Sequence, residues 1–395
     1  MTKLADRGSE GFSPFPGGPF FGLLRRLHLS GEGLECVHRR SFALALISWL
    51  PLLILSAWEG QALGTEVGIP FMLDAEPHVR FLVAMPLLIF AEYFVHQRIR
   101  SLVMQFIDRK LIPQEALAQF HEAVVSSLRW RGSITAEVIM AAIIALLFPI
   151  FWRQSLAQYV TAWHTVAIPG SAELSLAGMW YAFFAVPLFQ FLLLRWYFRL
   201  FVWARFLWKI SRIPLNLVAS HPDRVGGLGF LGAISGAFAP LALAHGAMLA
   251  AVLANHILHT GAALPDYLFQ IGLVIAIVLC AVFGPMLVFM PQLEAMRWKG
   301  LAAYGALAAR YVQDFDDKWL KKDSHGSEKL LGSEDIGALA DLNQCIEVVQ
   351  GARLLPFTIH GPVTLAVFTV LPVLPLLLTV MSLRELLKGL AGLLL

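Results

Sequence analysis

Charged residues are scarce in this chain. Only 14% of its 395 residues are Asp, Glu, Lys or Arg, whereas 58% are hydrophobic, and the mean hydropathy is +0.68. Soluble globular domains carry about 25% charged residues, so the composition excludes a soluble globule and indicates a protein that uses lipid as its solvent. The net charge of +3 does not indicate nucleic-acid binding, because the basic residues cluster beside apolar segments, where membrane topology accounts for them.

Cysteine is also rare. Cys36, Cys280 and Cys345 lie far apart, which excludes a disulfide framework and a CxxC zinc motif. His256 and His259 form an H-x-x-H pair that can ligate a metal from one helix face, but no second pair of this kind accompanies them. We therefore predict neither a metal nor a cofactor.

The chain is rich in long hydrophobic segments. Seven segments are long enough to cross the ~30 Å hydrocarbon layer as helices. They are 42–58, 80–100, 134–152, 175–199, 227–254, 267–291 and 362–381. The sequence therefore predicts an all-α, polytopic membrane protein.

Four parts follow along the chain. We predict a cytoplasmic N-terminal tail (1–40), a six-helix membrane domain (41–292), a cytoplasmic helical hairpin (293–361), and a last transmembrane helix with an external tail (362–395). The tail lacks the apolar core of a signal peptide. The last 13 residues, 383–395, are expected to form an amphipathic segment on the outer surface.

Basic residues are distributed unevenly among the connections. Lys and Arg cluster in the N-terminal tail and in the connections between spans two and three, four and five, and six and seven. The loop 59–79 has none, but has four acids: Glu59, Glu66, Asp74 and Glu76. The positive-inside rule then places the N-terminus in the cytoplasm and the C-terminus outside.

A spacing of proline, phenylalanine and arginine, P-x3-F-x7-R, recurs in the even-numbered spans. Its copies are Pro86, Phe90 and Arg98; Pro187, Phe191 and Arg199; and Pro285, Phe289 and Arg297. The copies start 101 and then 98 residues apart, which predicts three repeated helical hairpins followed by a last helix. The alternative is coincidence, since proline and phenylalanine are frequent in membrane helices and arginine anchors their ends.

Several polar side chains fall inside the apolar spans, where they are costly and mark functional sites. These candidates for an intramembrane polar pathway are Glu92, His96, Glu137, Gln190, Arg195 and His245. Depth along each helix can be counted from the aligned prolines, Pro86 and Pro187, at about 1.5 Å per residue. On this count Glu92 and Arg195 differ in depth by about 3 Å, so we predict an ion pair between them. The alternative role is structural, with the two charges compensating each other and holding two helices together.

A polar elbow of sequence SHPDRVGGLGF, residues 220–230, separates the fourth and fifth spans. Its glycines match G-x-G-x-x-G, but no strand precedes them, which excludes the dinucleotide-binding motif. A glycine-rich helix start beside an arginine favours an anion, and the predicted ligand-binding residues are His221, Asp223, Arg224, Gly226, Gly227 and Gly229. The alternative is a tight turn capped by Ser220 or Asp223.

This elbow and the Leu- and Pro-rich segment 371–378 resemble a family of bacterial multi-pass inner-membrane proteins that carry HPDRxGGLGFL between spans. The resemblance implies an inner-membrane location and carries no activity.

Three classes of function stay open. Repeated hairpins, prolines in the spans and intramembrane charges favour a channel or transporter for an ion or small, anionic solute. A membrane-embedded enzyme would have to use His221 with Asp223, or His96 with Glu92, because no other catalytic set is present. A sensor or scaffold would use the 293–361 hairpin. The expected partners are membrane lipids, a solute and a second copy of the chain, but no nucleic acid.

Overall fold

The computed structural model describes residues 17–29, 36–63, 68–158, 162–168, 171–320 and 334–379. Its helices are α1 (Pro19–Arg26), α2 (Val37–Trp58), α3 (Ala75–Val79), α4 (Met85–Asp108), α5 (Leu117–Arg131), α6 (Ile134–Gln158), α7 (Leu176–Trp180), α8 (Val186–Ile210), α9 (Ala239–Thr260), α10 (Leu268–Phe283), α11 (Met290–Trp319), α12 (Glu334–Gln350) and α13 (His360–Val370). Strands β1 (Thr165–Ile168) and β2 (Ser171–Leu174) form an antiparallel pair. The predicted segment 383–395 and the linker within the 293–361 hairpin lie outside the described residues.

Segments of 3₁₀-helix and π-helix adjoin several of the α-helices. The 3₁₀ turns are Phe71–Leu73, Gln114–Ala116, Leu228–Phe238, Leu264–Tyr267, Gly284–Phe289 and Leu371–Thr379, and the π-turns are Arg80–Ala84 and Tyr181–Ala185. Helix α1, near the N-terminus, is amphipathic and carries Arg25 and Arg26 in its last turn.

Six of the resulting helical segments are long and apolar enough to cross a membrane. They are Val37–Trp58, Ala75–Asp108, Leu176–Ile210, Leu228–Thr260, Leu264–Trp319 and His360–Thr379. A seventh span is obtained only when Gln114–Arg131 and Ile134–Leu147, which meet at 44°, count as one. The prediction of an all-α polytopic membrane protein is thus confirmed, with six spans or seven, and the predicted third span forms the second arm of the bent pair.

The two π-turns lie 101 residues apart and have a common cause. Each ends just before a helix whose second residue is proline, Pro86 in α4 and Pro187 in α8. Proline lacks the N–H for an i→i−4 hydrogen bond, and its ring clashes with the carbonyl four residues earlier. A widened turn relieves this clash, so the repeated prolines produce the same local structure twice.

The helices that begin these two repeats are capped in the same way. Glu59, at the end of α2, accepts a hydrogen bond from the backbone N–H of Leu176 at 2.8 Å. Asn255, near the end of α9, accepts one from Ala75 at 2.9 Å. Ala75 and Leu176 are equivalent residues of the repeat, so each receives its cap from a different neighbouring helix.

The third copy of the spacing differs from the first two. Pro285 lies in the 3₁₀ turn Gly284–Phe289 rather than after a π-turn. Arg98 is exposed and donates to the carbonyl of Ala233, Arg199 is buried, and Arg297 donates to Gln350. Only the first two repeats therefore share both their spacing and their local structure.

Helices α4, α8 and α9 form the centre of the molecule. Helix α9 packs against α3, α4 and α13, and α2 packs against α4 and α7. Aromatic side chains fill the space between these helices, and the largest fully buried ones include Trp196, Trp203, Phe81, Phe106 and Phe206.

The segment 293–361 contains two paired helices. Helix α11 packs along α12, and Asp335 accepts hydrogen bonds from the side chains of Lys318 at 2.6 Å and Trp319 at 3.0 Å. Tyr304 on α11 donates to Ser220 at 2.8 Å. The helix pair is therefore attached directly to the elbow.

Candidate functional site

Glu92, on α4, is the centre of a buried charge network. Its carboxylate lies 2.7 Å from Nη2 of Arg40 on α2 and forms a second ion pair with Arg199 on α8. Glu92 and Arg199 are each 5% exposed and Arg40 is 2% exposed. Three helices are therefore joined by one carboxylate between two guanidinium groups.

A third ion pair, between Arg195 and Glu137, lies one helical turn from Arg199. Nε of Arg195 is 3.9 Å from Oε1 of Glu137 on α6, and the guanidinium also donates to the carbonyl of Gly17 at 3.3 Å. The other carboxylate oxygen of Glu137 accepts the backbone N–H of Phe20 at 2.9 Å, and the Phe20 ring lies 4.9 Å from the Arg195 guanidinium. The N-terminal end of α1 is therefore docked onto this pair.

The predicted ion pair between Glu92 and Arg195 named the wrong arginine. Depth along a helix follows from the sequence, but the direction in which a side chain points depends on how the helix is rotated. The structure turns Arg199 toward Glu92 and turns Arg195 toward Glu137. Both predicted carboxylates and Arg195 do belong to one site.

The network carries an excess of positive charge. Counted over the residues that the structure describes, it has three arginines, Arg40, Arg195 and Arg199, and two glutamates, Glu92 and Glu137. Among the described residues, the buried Nε of Arg40 has no hydrogen-bond partner. A void of about 10 Å³ between Glu137, Arg195 and Arg199 is the size that holds about one water molecule. The network is therefore not fully neutralised by its own side chains.

His245, another of the predicted intramembrane residues, has hydrogen-bond partners of its own. His245 accepts a hydrogen bond from the hydroxyl of Tyr197 at its Nε2 (2.7 Å), because its Nδ1 lies 2.8 Å from the carbonyl of Leu241 and must be the protonated nitrogen. His96 and Gln190 are half-buried. The role of these three residues in a pathway stays a prediction.

The elbow is built around Asp223. One carboxylate oxygen accepts the N–H groups of Val225 (2.9 Å) and Gly227 (3.1 Å), and the other accepts that of Gly229 (2.9 Å). The backbone can wrap around the carboxylate because Gly226 and Gly227 adopt positive φ angles of 66° and 99°, which glycine tolerates without a steric penalty.

This geometry corrects the predicted anion site. The backbone N–H groups of Gly227 and Gly229, expected to face a ligand, already bind the carboxylate of Asp223. The tight turn, which was the alternative, is the one that the chain adopts. An external anion at the elbow would have to bind to side chains.

Asp223 is also paired with His221, whose Nδ1 lies 2.8 Å from Oδ1. This contact identifies Nδ1 as a donor, so the 3.2 Å approach of the Asp223 N–H to the same nitrogen is not a hydrogen bond. Burial raises the pKa of Asp223, but the three backbone N–H groups and His221 outweigh it and hold the pKa below its usual value. Asp223 is therefore a structural anion.

The opposite end of the bundle has a polar cluster around Asp74. Its carboxylate accepts from Nδ2 of Asn255 at 2.7 Å and from the indole N–H of Trp163 at 2.8 Å. His164 is buried beside it, and burial lowers its pKa, with a partial opposing effect from Asp74. Asn255 and His164 thus have capping and packing roles at this end.

Sequence reasoning missed Arg40 as a member of the network. It belongs to an Arg39-Arg40 pair at the start of α2, which is typical of an interfacial anchor. The available signal was its position at the start of an apolar run.

Comparison of the chain with protein-family models, with curated proteins and with solved structures gives no significant match.

Proposed function

We propose that this protein is a channel or transporter that moves a small anion or anionic solute across a bacterial inner membrane, with its N-terminus in the cytoplasm. The observation that supports it is the buried network of Arg40, Glu92, Arg199, Arg195 and Glu137, with its excess positive charge. Charged groups are kept inside a membrane at a cost, and they mark the routes of ions.

An anion is favoured over a cation as the solute. The network has more guanidinium groups than carboxylates, and a buried donor of Arg40 has no partner among the described residues. Arginine stays charged even when buried, and its planar fork binds carboxylates and oxyanions. A passing anion would satisfy this donor and balance the charge of the site.

The enzyme alternative has weaker support. Glu92, proposed as a partner for His96, is held by Arg40 and Arg199, and Asp223, proposed as a partner for His221, is held by three backbone N–H groups. A general base must be able to take up a proton, and carboxylates held in this way are poor bases.

The test is anion flux through the purified full chain in liposomes. We expect gradients of chloride, phosphate or acetate to dissipate faster than in protein-free liposomes. Arg195→Gln, which removes one charge of the network at its edge, should slow this flux, whereas Arg100→Gln, an exposed residue of α4, should not. Flux equal to that of protein-free liposomes for all three anions would overturn the proposal.

A further inference from the structure

Three arginines from different parts of the chain line one cavity at the elbow. Arg109 follows α4, Arg224 lies in the elbow and Arg353 follows α12, and together they line a space of about 610 Å³. This volume lies within the range of small-molecule sites. These residues are far apart in the sequence, so their proximity could not be predicted from it.

The arginines are positioned by contacts with the elbow. Nη1 of Arg109 approaches the carbonyl of Gly227 at 3.5 Å, and its guanidinium lies 5.0 Å from the centre of the Phe230 ring. Nη2 of Arg353 donates to the carbonyl of Asp223 at 2.9 Å, and its backbone N–H donates to the carbonyl of Arg224 at 2.7 Å. These contacts use only part of each guanidinium's donors.

Among the described residues, Asp223 is the acid that lines this cavity. Its two carboxylate oxygens are occupied by backbone N–H groups and His221, so it forms no ion pair with the three arginines. The cavity therefore keeps a net positive charge, with several N–H donors free for a ligand.

A smaller space continues from the cavity. It has a volume of about 270 Å³, shares Gly229 and Arg353 with the first, and is lined by the polar side chains of Ser235, Thr358 and His360. Hydroxyl and imidazole groups hydrogen-bond to neutral polar groups. A ligand that fills both spaces has an anionic end and a hydroxyl-bearing end.

We propose that this cavity binds a phosphate-bearing ligand, with the phosphate held by Arg109, Arg224 and Arg353 and a hydroxyl-bearing substituent in the adjoining space. Guanidinium groups bind phosphate oxygens in pairs, with charge-assisted hydrogen bonds. The ligand is either a soluble phosphomonoester or the headgroup of a phospholipid. The site lies at the elbow, apart from the Glu92 network, and its occupancy does not depend on the proposed transport.

The binding test uses the purified full chain in an uncharged detergent. Inorganic phosphate and glycerol 3-phosphate should each raise the midpoint of thermal unfolding relative to chloride at equal ionic strength, and glycerol 3-phosphate should act at the lower concentration. Arg224→Gln and Arg109→Gln should each raise the half-maximal concentration by about tenfold or more, since each loses a charge-assisted hydrogen bond. Arg212→Gln, an exposed arginine at the end of α8 outside the cavity, is the matched control.

Two further arms separate the sources of the phosphate. Stabilisation by short-chain phosphatidylglycerol, but not by glycerol 3-phosphate, would identify a lipid headgroup, and the reverse would identify a soluble ligand. If Arg224→Gln does not fold, Arg109→Lys keeps the charge but loses the planar fork and should still weaken binding. The proposal is overturned if none of the three probes stabilises the protein, or if Arg212→Gln weakens binding as much as the cavity variants. Because the readout is binding, a failed flux assay leaves this result unaffected.

Discussion

The guanidinium of Arg80 donates a hydrogen bond to the hydroxyl of Tyr181, and the two residues occupy the same position in segments 101 residues apart. Each is the first residue of a π-turn. The guanidinium carbon also lies 5.7 Å from the centre of the Tyr181 ring. The first two repeats therefore touch each other through equivalent residues.

The start of each of these two repeats is also capped by another part of the chain. Glu59 of the first hairpin caps the second repeat at Leu176, whereas Asn255 of the third hairpin caps the first repeat at Ala75. Each repeated helix start thus depends on the end of another hairpin. The hairpins are interlocked rather than independent units.

The two caps should contribute similarly to stability. Glu59→Ala leaves the backbone N–H groups of Leu176 and Ala177 without their partner, and Asn255→Ala leaves that of Ala75. Loss of a cap costs about 0.5–2 kcal/mol. Asn255→Ala also removes the hydrogen bond to Asp74, so each substitution breaks two hydrogen bonds and the two losses should be similar. Denaturant unfolding in detergent measures the loss, with the exposed Glu173→Ala as control. Losses no greater than that of Glu173→Ala would exclude the capping role.

The charge network predicts a specific pattern of coupling. Glu92→Gln leaves Arg40 and Arg199 without their common anion, and breaking a buried ion pair costs about 3–5 kcal/mol. In double-mutant cycles, Glu92→Gln and Arg199→Gln should together cost less than the sum of their separate effects, because the second substitution removes a charge that the first left unpaired.

Arg195→Gln provides the comparison for this cycle. Since Arg195 contacts Glu137 rather than Glu92, its coupling to Glu92→Gln should be smaller than that of Arg199→Gln. The exposed Arg100→Gln on α4 serves as a control for loss of positive charge. Equal coupling for Arg195 and Arg199 would contradict the pairing described above.

Much of the architecture could be predicted from the sequence, because hydropathy and proline position act locally. The apolar spans, the elbow and the repeated spacing around Pro86 and Pro187 all have counterparts in the structure. Local chemistry also specified the alternative role of Asp223, since aspartate often caps backbone N–H groups. These features depend on residues close together in the chain.

The pairing of charges could not be predicted in the same way. Whether Glu92 contacts Arg195 or Arg199 depends on the rotation of α8, and the contribution of Arg40 depends on which face of α2 packs against α4. The meeting of Arg109, Arg224 and Arg353 likewise depends on the packing of α12 near the elbow. These contacts are set by tertiary packing, which leaves little trace in one sequence.

The predicted orientation can be tested with single cysteines. Cys345 is exposed on α12, in the segment that we place in the cytoplasm, so a membrane-impermeant maleimide should label it only after cells are permeabilised. Leu63→Cys, at an exposed site near the end of α2, should react in intact cells. Both variants are made with the other native cysteines replaced by serine, and labelling of Cys345 in intact cells would reverse the orientation.

The stability of the protein should fall as the pH drops below about 6.5, with His164 as one cause. Burial lowers the pKa of this side chain in the folded protein, despite the partial opposing effect of Asp74. The unfolded chain therefore binds a proton more readily than the folded one, and protonation favours unfolding. The stability due to neutral His164 is present above its ordinary pKa of about 6.5 and is lost as the pH falls toward the lowered value.

His164→Gln removes this titration, so its unfolding midpoint should change less between pH 7.5 and pH 5 than that of the unmodified protein. The effect can reach about 1.4 kcal/mol for each pH unit between the two pKa values. His259→Gln replaces an exposed histidine at the same end of the molecule and should keep the full dependence on pH. If the two variants respond alike, protonation of His164 does not control stability, and the acid sensitivity must come from other groups.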